Sequence, residues 1–305
     1  MKKILIVFSI IGFIFAEEKI GGVTYFNFSS NDKASAFNFE RQYFAYGGEV
    51  SDKVNYKVLF DVGRSDLETR LTVYLKKAQV NYLSSLGRFN FGLIGMNTYG
   101  VQESNWGYRF IEKSAIDKNK FSSTADLGVG FSKTLLSNLH LSLLIINGEG
   151  YKKPQGDKYH KIAFNTTYGE GNLNKNDGYN AGIVYTTEST GSDPTTMASV
   201  FGGFAGKGLR LGGEYDLLTK GSVESNILSV SANYKLKDNI DIFARYDLFD
   251  DNDDANNNGN NYLITGIVLD CDGGISVSPN LRMVNYENTE KDSEMEYKLN
   301  FQFKF

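Results

Sequence analysis

The chain has one cysteine, Cys271, three prolines, one tryptophan and two histidines among 305 residues. A single cysteine forms no internal disulfide, and with so few histidines there is no zinc-type ligand set. Scarce proline suits a chain made mostly of hydrogen-bonded strand, because each proline removes one ladder donor. Beyond residue 16 no run nears the ~20 apolar residues a membrane helix requires; the longest approach is Leu141-Ser-Leu-Leu-Ile-Ile146. Positive charge is not in excess either. Without Lys2 and Lys3, 30 basic residues face 36 acidic ones, which argues against nucleic acid as a partner.

What is present begins with residues 1–16, MKKILIVFSIIGFIFA, in which two lysines precede an apolar stretch and a small residue precedes Glu17-Glu18. This is the pattern of a secretory signal peptide cleaved after Ala16, leaving 17–305 as one domain outside the cytoplasm. The last eleven residues, Met295 to Phe305, alternate without an error: Met295, Tyr297, Leu299, Phe301, Phe303 and Phe305 on one face, Glu296, Lys298, Asn300, Gln302 and Lys304 on the other. About 9 to 11 residues is the length with which a tilted strand crosses hydrocarbon. The same period of two recurs in Ile240–Leu248, Leu139–Ile145, Val54–Val62 and Leu228–Leu236, and no helix-period segment of useful length competes.

Strands are expected near 20–29, 37–50, 54–63, 71–83, 87–96, 124–135, 139–148, 159–169, 178–187, 196–206, 208–218, 224–236, 239–249, 261–270, 273–286 and 294–305. The even count and the connections between them point the same way. Turns at 51–53, 84–86, 136–138, 170–177, 207, 237–238 and 271–272 alternate with loops at 30–36, 64–70, 97–123, 149–158, 188–195, 219–223, 250–260 and 287–293. The fold class implied is all-β: a transmembrane antiparallel up-and-down β-barrel of sixteen strands, with periplasmic turns and longer outer loops. A barrel of this size encloses an aqueous channel, and closure satisfies every backbone group without a free edge. Strands 196–206 and 261–270 do not declare a register, and Lys76-Lys77 signals a β-bulge.

The third outer loop, 97–123, is the longest connection and could reach about 40 Å out and back at full extension, enough to fold into the lumen. It carries both signs of charge, and Glu103, Arg109, Glu112 and Lys113 are the candidate pore constriction, where opposed charges would set a transverse field. Alternation assigns Glu40, Lys57, Asp61, Lys77, Arg88, Arg210, Glu214, Asp241, Arg245, Asp247, Arg282, Glu296, Lys298 and Lys304 to the lumen wall. Tyr56, Tyr74, Tyr82, Tyr246, Phe303 and Phe305 fall on the lipid side, as girdle aromatics.

Three stretches carry a family resemblance: Phe37 to Lys53 (FNFERQYFAYGGEVSDK), Trp106-Gly-Tyr-Arg-Phe-Ile-Glu112, and Arg245-Tyr-Asp-Leu-Phe-Asp250 with Ser278-Pro-Asn-Leu-Arg282. In them the chain resembles Gram-negative outer-membrane porins, within them the phosphate-selective porin O and P group. The resemblance implies a sixteen-stranded homotrimeric diffusion channel, with the third loop folded inward and the terminal Phe305 read by the barrel-assembly machinery.

The expected function is thus an outer-membrane porin passing ions and small hydrophilic solutes by passive diffusion, set among outer-membrane lipid and lipopolysaccharide, with no cofactor. The alternative is a plugged, structural or adhesive barrel. An enzyme is not expected, because His140 and His160 fall at opposite ends of neighbouring strands and no nucleophile elbow is present. The acidic loop 250–260 lacks the sixth-position glycine and closing glutamate of a calcium loop. It is read as solvated, with weak divalent-cation binding as its rival.

Overall fold

In a computed structural model the described residues are 19–64, 71–189 and 193–305. The proposed signal peptide, loop 64–70 beyond Arg64, and part of loop 188–195 lie outside them. Sixteen strands form one closed barrel: β1 (Lys19–Ser30), β2 (Ser35–Ser51), β3 (Val54–Arg64), β4 (Leu71–Leu83), β5 (Arg88–Gly95), β6 (Ala125–Leu135), β7 (Leu139–Ile146), β8 (Lys161–Gly169), β9 (Gly178–Glu188), β10 (Thr195–Gly206), β11 (Leu209–Lys220), β12 (Val223–Lys237), β13 (Ile240–Asp250), β14 (Asn260–Cys271), β15 (Ile275–Tyr286) and β16 (Glu294–Lys304). Every boundary falls within two residues of its sequence expectation. Each strand pairs antiparallel with its chain neighbours, and β1 closes on β16 from Val23 opposite Lys304 to Ser30 opposite Tyr297.

The two faces sort as the alternation requires. Phe26 stacks on Phe301 with ring centroids 4.6 Å apart on the outer surface, while Asn27, Asn300 and Gln302 are buried on the inner one. Phe303 and Phe305 also point outward and are exposed. The backbone of Phe305 exchanges two hydrogen bonds with Gly22, at 2.9 and 3.1 Å, so the chain terminus completes the closing seam.

Local departures from alternation matter for the bore. The pairing skips Lys76 between Leu59–Lys77 and Phe60–Leu75, so the extra residue turns inward beside Lys77. As a consequence Tyr74, expected on the lipid side, pairs with Asp61 on the inner face and meets Tyr151 edge-on. A second skip, at Glu40, lets both Glu40 and Arg41 face the bore. Loop 219–223 shrinks to residues 221–222, because β11 and β12 extend each other's ladder outward. At the opposite end the connections span two to four residues, except 170–177, which is longer and folds into the barrel.

Candidate permeation site

Loop 97–123 carries two short helices, α1 (Gly100–Trp106) and α2 (Ala115–Lys118), and lies inside the barrel against one wall. Two apolar contacts hold it there. Trp106, Tyr108, Phe110 and Ile111 pack on Phe243, Tyr262, Ile264 and Val268; Tyr99, Ala115, Ile116 and Phe121 pack on Val184, Met197, Phe201, Leu218 and Ile227. These contacts explain the two strands of undeclared register. On β10 and β14 the outer face is exposed and apolar and the inner face meets the loop, so both faces are apolar.

Polar groups of the same wall complete the attachment by taking loop carbonyls that would otherwise be unpaired. Arg245 donates to the Lys113 carbonyl, Arg282 to the Ile111 carbonyl, and Asn300 to that of Phe110 at 3.1 Å. Arg210 and Asn233 both reach the Trp106 carbonyl, at 3.3 and 3.2 Å. Arg245 is 2 % exposed and keeps its own counter-ion, Asp247, at 2.7 Å. The phenol of Tyr108 donates to Asp241 at 2.6 Å.

Glu112 belongs to this attachment. Its carboxylate accepts from Arg282 at 2.9 Å and from the Tyr262 hydroxyl at 2.8 Å, while Trp106 donates to its backbone carbonyl. Burial alone would push the Glu112 carboxyl up, but Arg282, Arg245 and Lys118 bring it down to about 2. Of the four residues expected at the constriction, it is the one turned to the wall rather than the bore.

The loop's other face is a charged chain. Arg109 bridges Glu103 and Asp117, each at 3.2 Å, and Ser114 caps the Asp117 amide at 3.4 Å. Across from it stands the wall of β2 to β5, where Tyr151 of loop 147–160 closes over Asp61, 1 % exposed, and Lys76, 6 % exposed. There Asp61 accepts from Arg41 at 2.7 Å and from Tyr151 at 2.8 Å, with Lys76 at 3.5 Å. The Lys76 ammonium also sits 4.8 Å over the Tyr43 ring. Lys57, Lys77 and Arg88 have no carboxylate within ion-pair distance among the described residues.

Open space lies beside β4 to β8. A cavity of about 780 Å³ is lined by Lys77, Gln79, Arg88, Asn90, Asn97 and His140, among others. At the other end Arg41, Arg109, Lys113, Asp117 and Glu149 line one of about 260 Å³. A third, of about 440 Å³, lies below the loop among Arg210, Asp241, Asp270 and Lys304.

The remaining assigned residues spread along the wall. Glu214 lies under the loop, Glu40 accepts from Asn27 at 2.6 Å, and Glu296 pairs with Lys298 at 3.2 Å near the long-loop end. Alternation missed Arg41 and Lys76, both hidden by bulges, and Tyr151, brought in when loop 147–160 folds over the Asp126 carboxylate, which accepts from the Gly148 and Gly150 amides at 2.8 and 3.1 Å. His140 and His160 lie at opposite ends of the barrel, the former bonded to Thr134 at 2.9 Å. In loop 250–260 the Asn258 amide ties together Asp250 and the Asn252 carbonyl, each at 3.0 Å.

No protein-family model matches the sequence, and no curated protein does. Solved structures match over nearly the whole chain at low identity. A loop-deletion mutant of OmpT, an outer-membrane protein of Vibrio cholerae, has a TM-score of 0.70 at 12 % identity, covering 95 % of this chain and 99 % of that one. Salmonella typhi OmpF in complex with daunomycin gives 0.68 at 11 %, with 94 % and 97 % covered. The anion-selective porin from Comamonas acidovorans gives 0.68 at 9 %, with 95 % and 99 % covered. The fold is that of these sixteen-stranded barrels.

Proposed function

We propose that the protein is a porin of the bacterial outer membrane, a water-filled channel for passive diffusion of ions and small hydrophilic solutes. The observation that carries this reading is the one-sided attachment of loop 97–123, which leaves an open space of about 780 Å³ along β4 to β8 with Lys77 and Arg88 in its lining. The loop covers the apolar inner patches of one side together with the paired charges Arg245, Asp247 and Arg282. The constriction lies between the Glu103–Arg109 face of the loop and Arg41, Lys76 and Lys77 opposite, where low-dielectric surroundings strengthen the transverse field.

Lys113 lines the outer mouth with Arg109 and Arg41. Arg41 and Lys76 share their charge with Asp61, which argues against a preference for phosphate. The channel would be exported by a signal peptide cleaved after Ala16, inserted through recognition of Phe305 by the barrel-assembly machinery, and seated as a homotrimer among lipid and lipopolysaccharide. Planar-bilayer recording tests the reading: stepwise openings of the purified, folded barrel support it, and a folded barrel that stays silent refutes it.

A further inference from the structure

The turn at 170–177 does something that the other turns at its end do not. Instead of two to four residues lying at the rim, it rises into the bore until it touches the tip of loop 97–123 from below. Its Leu173 is 3 % exposed. The Ser104 hydroxyl donates to the Asn172 side-chain oxygen at 2.9 Å, and the Asn174 amide returns to Ser104 at 3.4 Å. Next to this, Asn105 and Asn180 exchange two side-chain amide bonds, both 2.9 Å, and Asn180 also donates to the Glu170 carbonyl at 2.7 Å. Arg210 joins the two segments, donating to Asn174 at 2.7 Å and to the Trp106 carbonyl at 3.3 Å.

We infer that this turn is a strut, braced on the periplasmic rim, that fixes the height and tilt of α1 and with it the position of Glu103 in the constriction. Apart from Arg210, the side chains that make these bonds are neutral amides and a hydroxyl, whose chemistry is suited to holding rather than attracting. Close packing supports the same role. A Cβ at Gly203 would stand 2.6 Å from the Asn105 amide nitrogen and 2.8 Å from Leu173, so glycine there lets strut and loop meet over β10. An amide pair buried on both sides keeps a single geometry, because breaking it leaves unpaired polar groups. Asn105, Asn172 and Asn180 are therefore positioning residues, acting on solutes only through α1.

The inference rests on the channel reading, and one set of recordings separates the two. Single channels would be compared among wild type, Asn105→Ala/Asn180→Ala, Asn172→Leu, Asn172→Asp and Gly203→Ala, each checked for a folded barrel by heat-dependent gel mobility. Closing events at fixed voltage should rise at least tenfold in the double variant and in Gly203→Ala, and measurably in Asn172→Leu. Asn172→Asp keeps the acceptor for Ser104 and should stay as quiet as wild type. A conducting wild type with unchanged closing in the folded double variant overturns the strut. Should the double variant not fold, equal closing rates for Asn172→Leu and Asn172→Asp overturn it. A silent wild type instead removes the channel reading.

Discussion

The two sides of the barrel interior carry the same kinds of residue and use them differently. On the covered side, Arg245 and Arg282 are buried, paired and committed to loop carbonyls. On the open side, Lys77 and Arg88 line the cavity and Lys57 is exposed, none of them with a carboxylate within ion-pair distance among the described residues. Inward orientation along a strand thus does not make a residue part of the pore. What decides is whether the loop lies over it.

That contrast can be broken most forcefully at Arg282. Replacing it with alanine leaves the largely buried Glu112 carboxylate without its ion-pair partner, with the Tyr262 hydroxyl still donating, and removing one partner of a buried pair costs about 3–5 kcal/mol. Loop attachment should fail while the sheet survives, seen as unstable, fluctuating conductance and protease cleavage within 97–123. Lys77→Ala on the open side should leave loop protection unchanged, since surface changes stay within about 0.5 kcal/mol.

The reverse asymmetry is expected for selectivity. Lys76→Gln with Lys77→Gln should shift the reversal potential in a salt gradient strongly toward cations, because Lys77 has no carboxylate within ion-pair distance among the described residues. Arg109→Gln with Lys113→Gln should shift it in the same direction but less, since Arg109 already stands between Glu103 and Asp117. An unchanged reversal potential in the second pair would remove the loop from the constriction.

The smallest effect concerns pH. A carboxyl held at about 2 in the folded state stabilises the loop fully above its unfolded value of about 4.5, and loses that contribution as pH falls toward 2. Between pH 7 and 5 the attachment at Glu112 should therefore not change. Protease protection of 97–123 that weakened in that window would place the sensitive group elsewhere.

Most of the barrel was legible in the sequence because lipid on one side and water on the other force a period of two, and that signal is local. It located all sixteen strands and put Phe301, Phe303 and Phe305 outside. It failed where the inner face is neither water nor lipid. Met197, Phe201, Tyr262 and Ile264 look misplaced along their strands until the loop is seen to pack on them. Arg41 was invisible for a different reason: one inserted residue reverses the inside and outside assignment from that point on, and nothing in the composition of β2 marks the skip, whereas Lys76-Lys77 did signal the bulge on β4. The loop charges were readable as a group, but which of them turn to the wall depends on partners more than a hundred residues away, as Glu112 with Arg282 shows.

The central claim, that solutes pass along the open space beside β4 to β8 and not along the covered wall, is tested most directly by thiol accessibility in single channels. In a Cys271→Ser background, Lys77→Cys is placed on the open side and Ser229→Cys, at a position 5 % exposed, beneath the loop. A small charged thiol reagent should cut the current through the Lys77→Cys channel and leave the Ser229→Cys channel unchanged. Block at Ser229→Cys with no effect at Lys77→Cys would contradict the account.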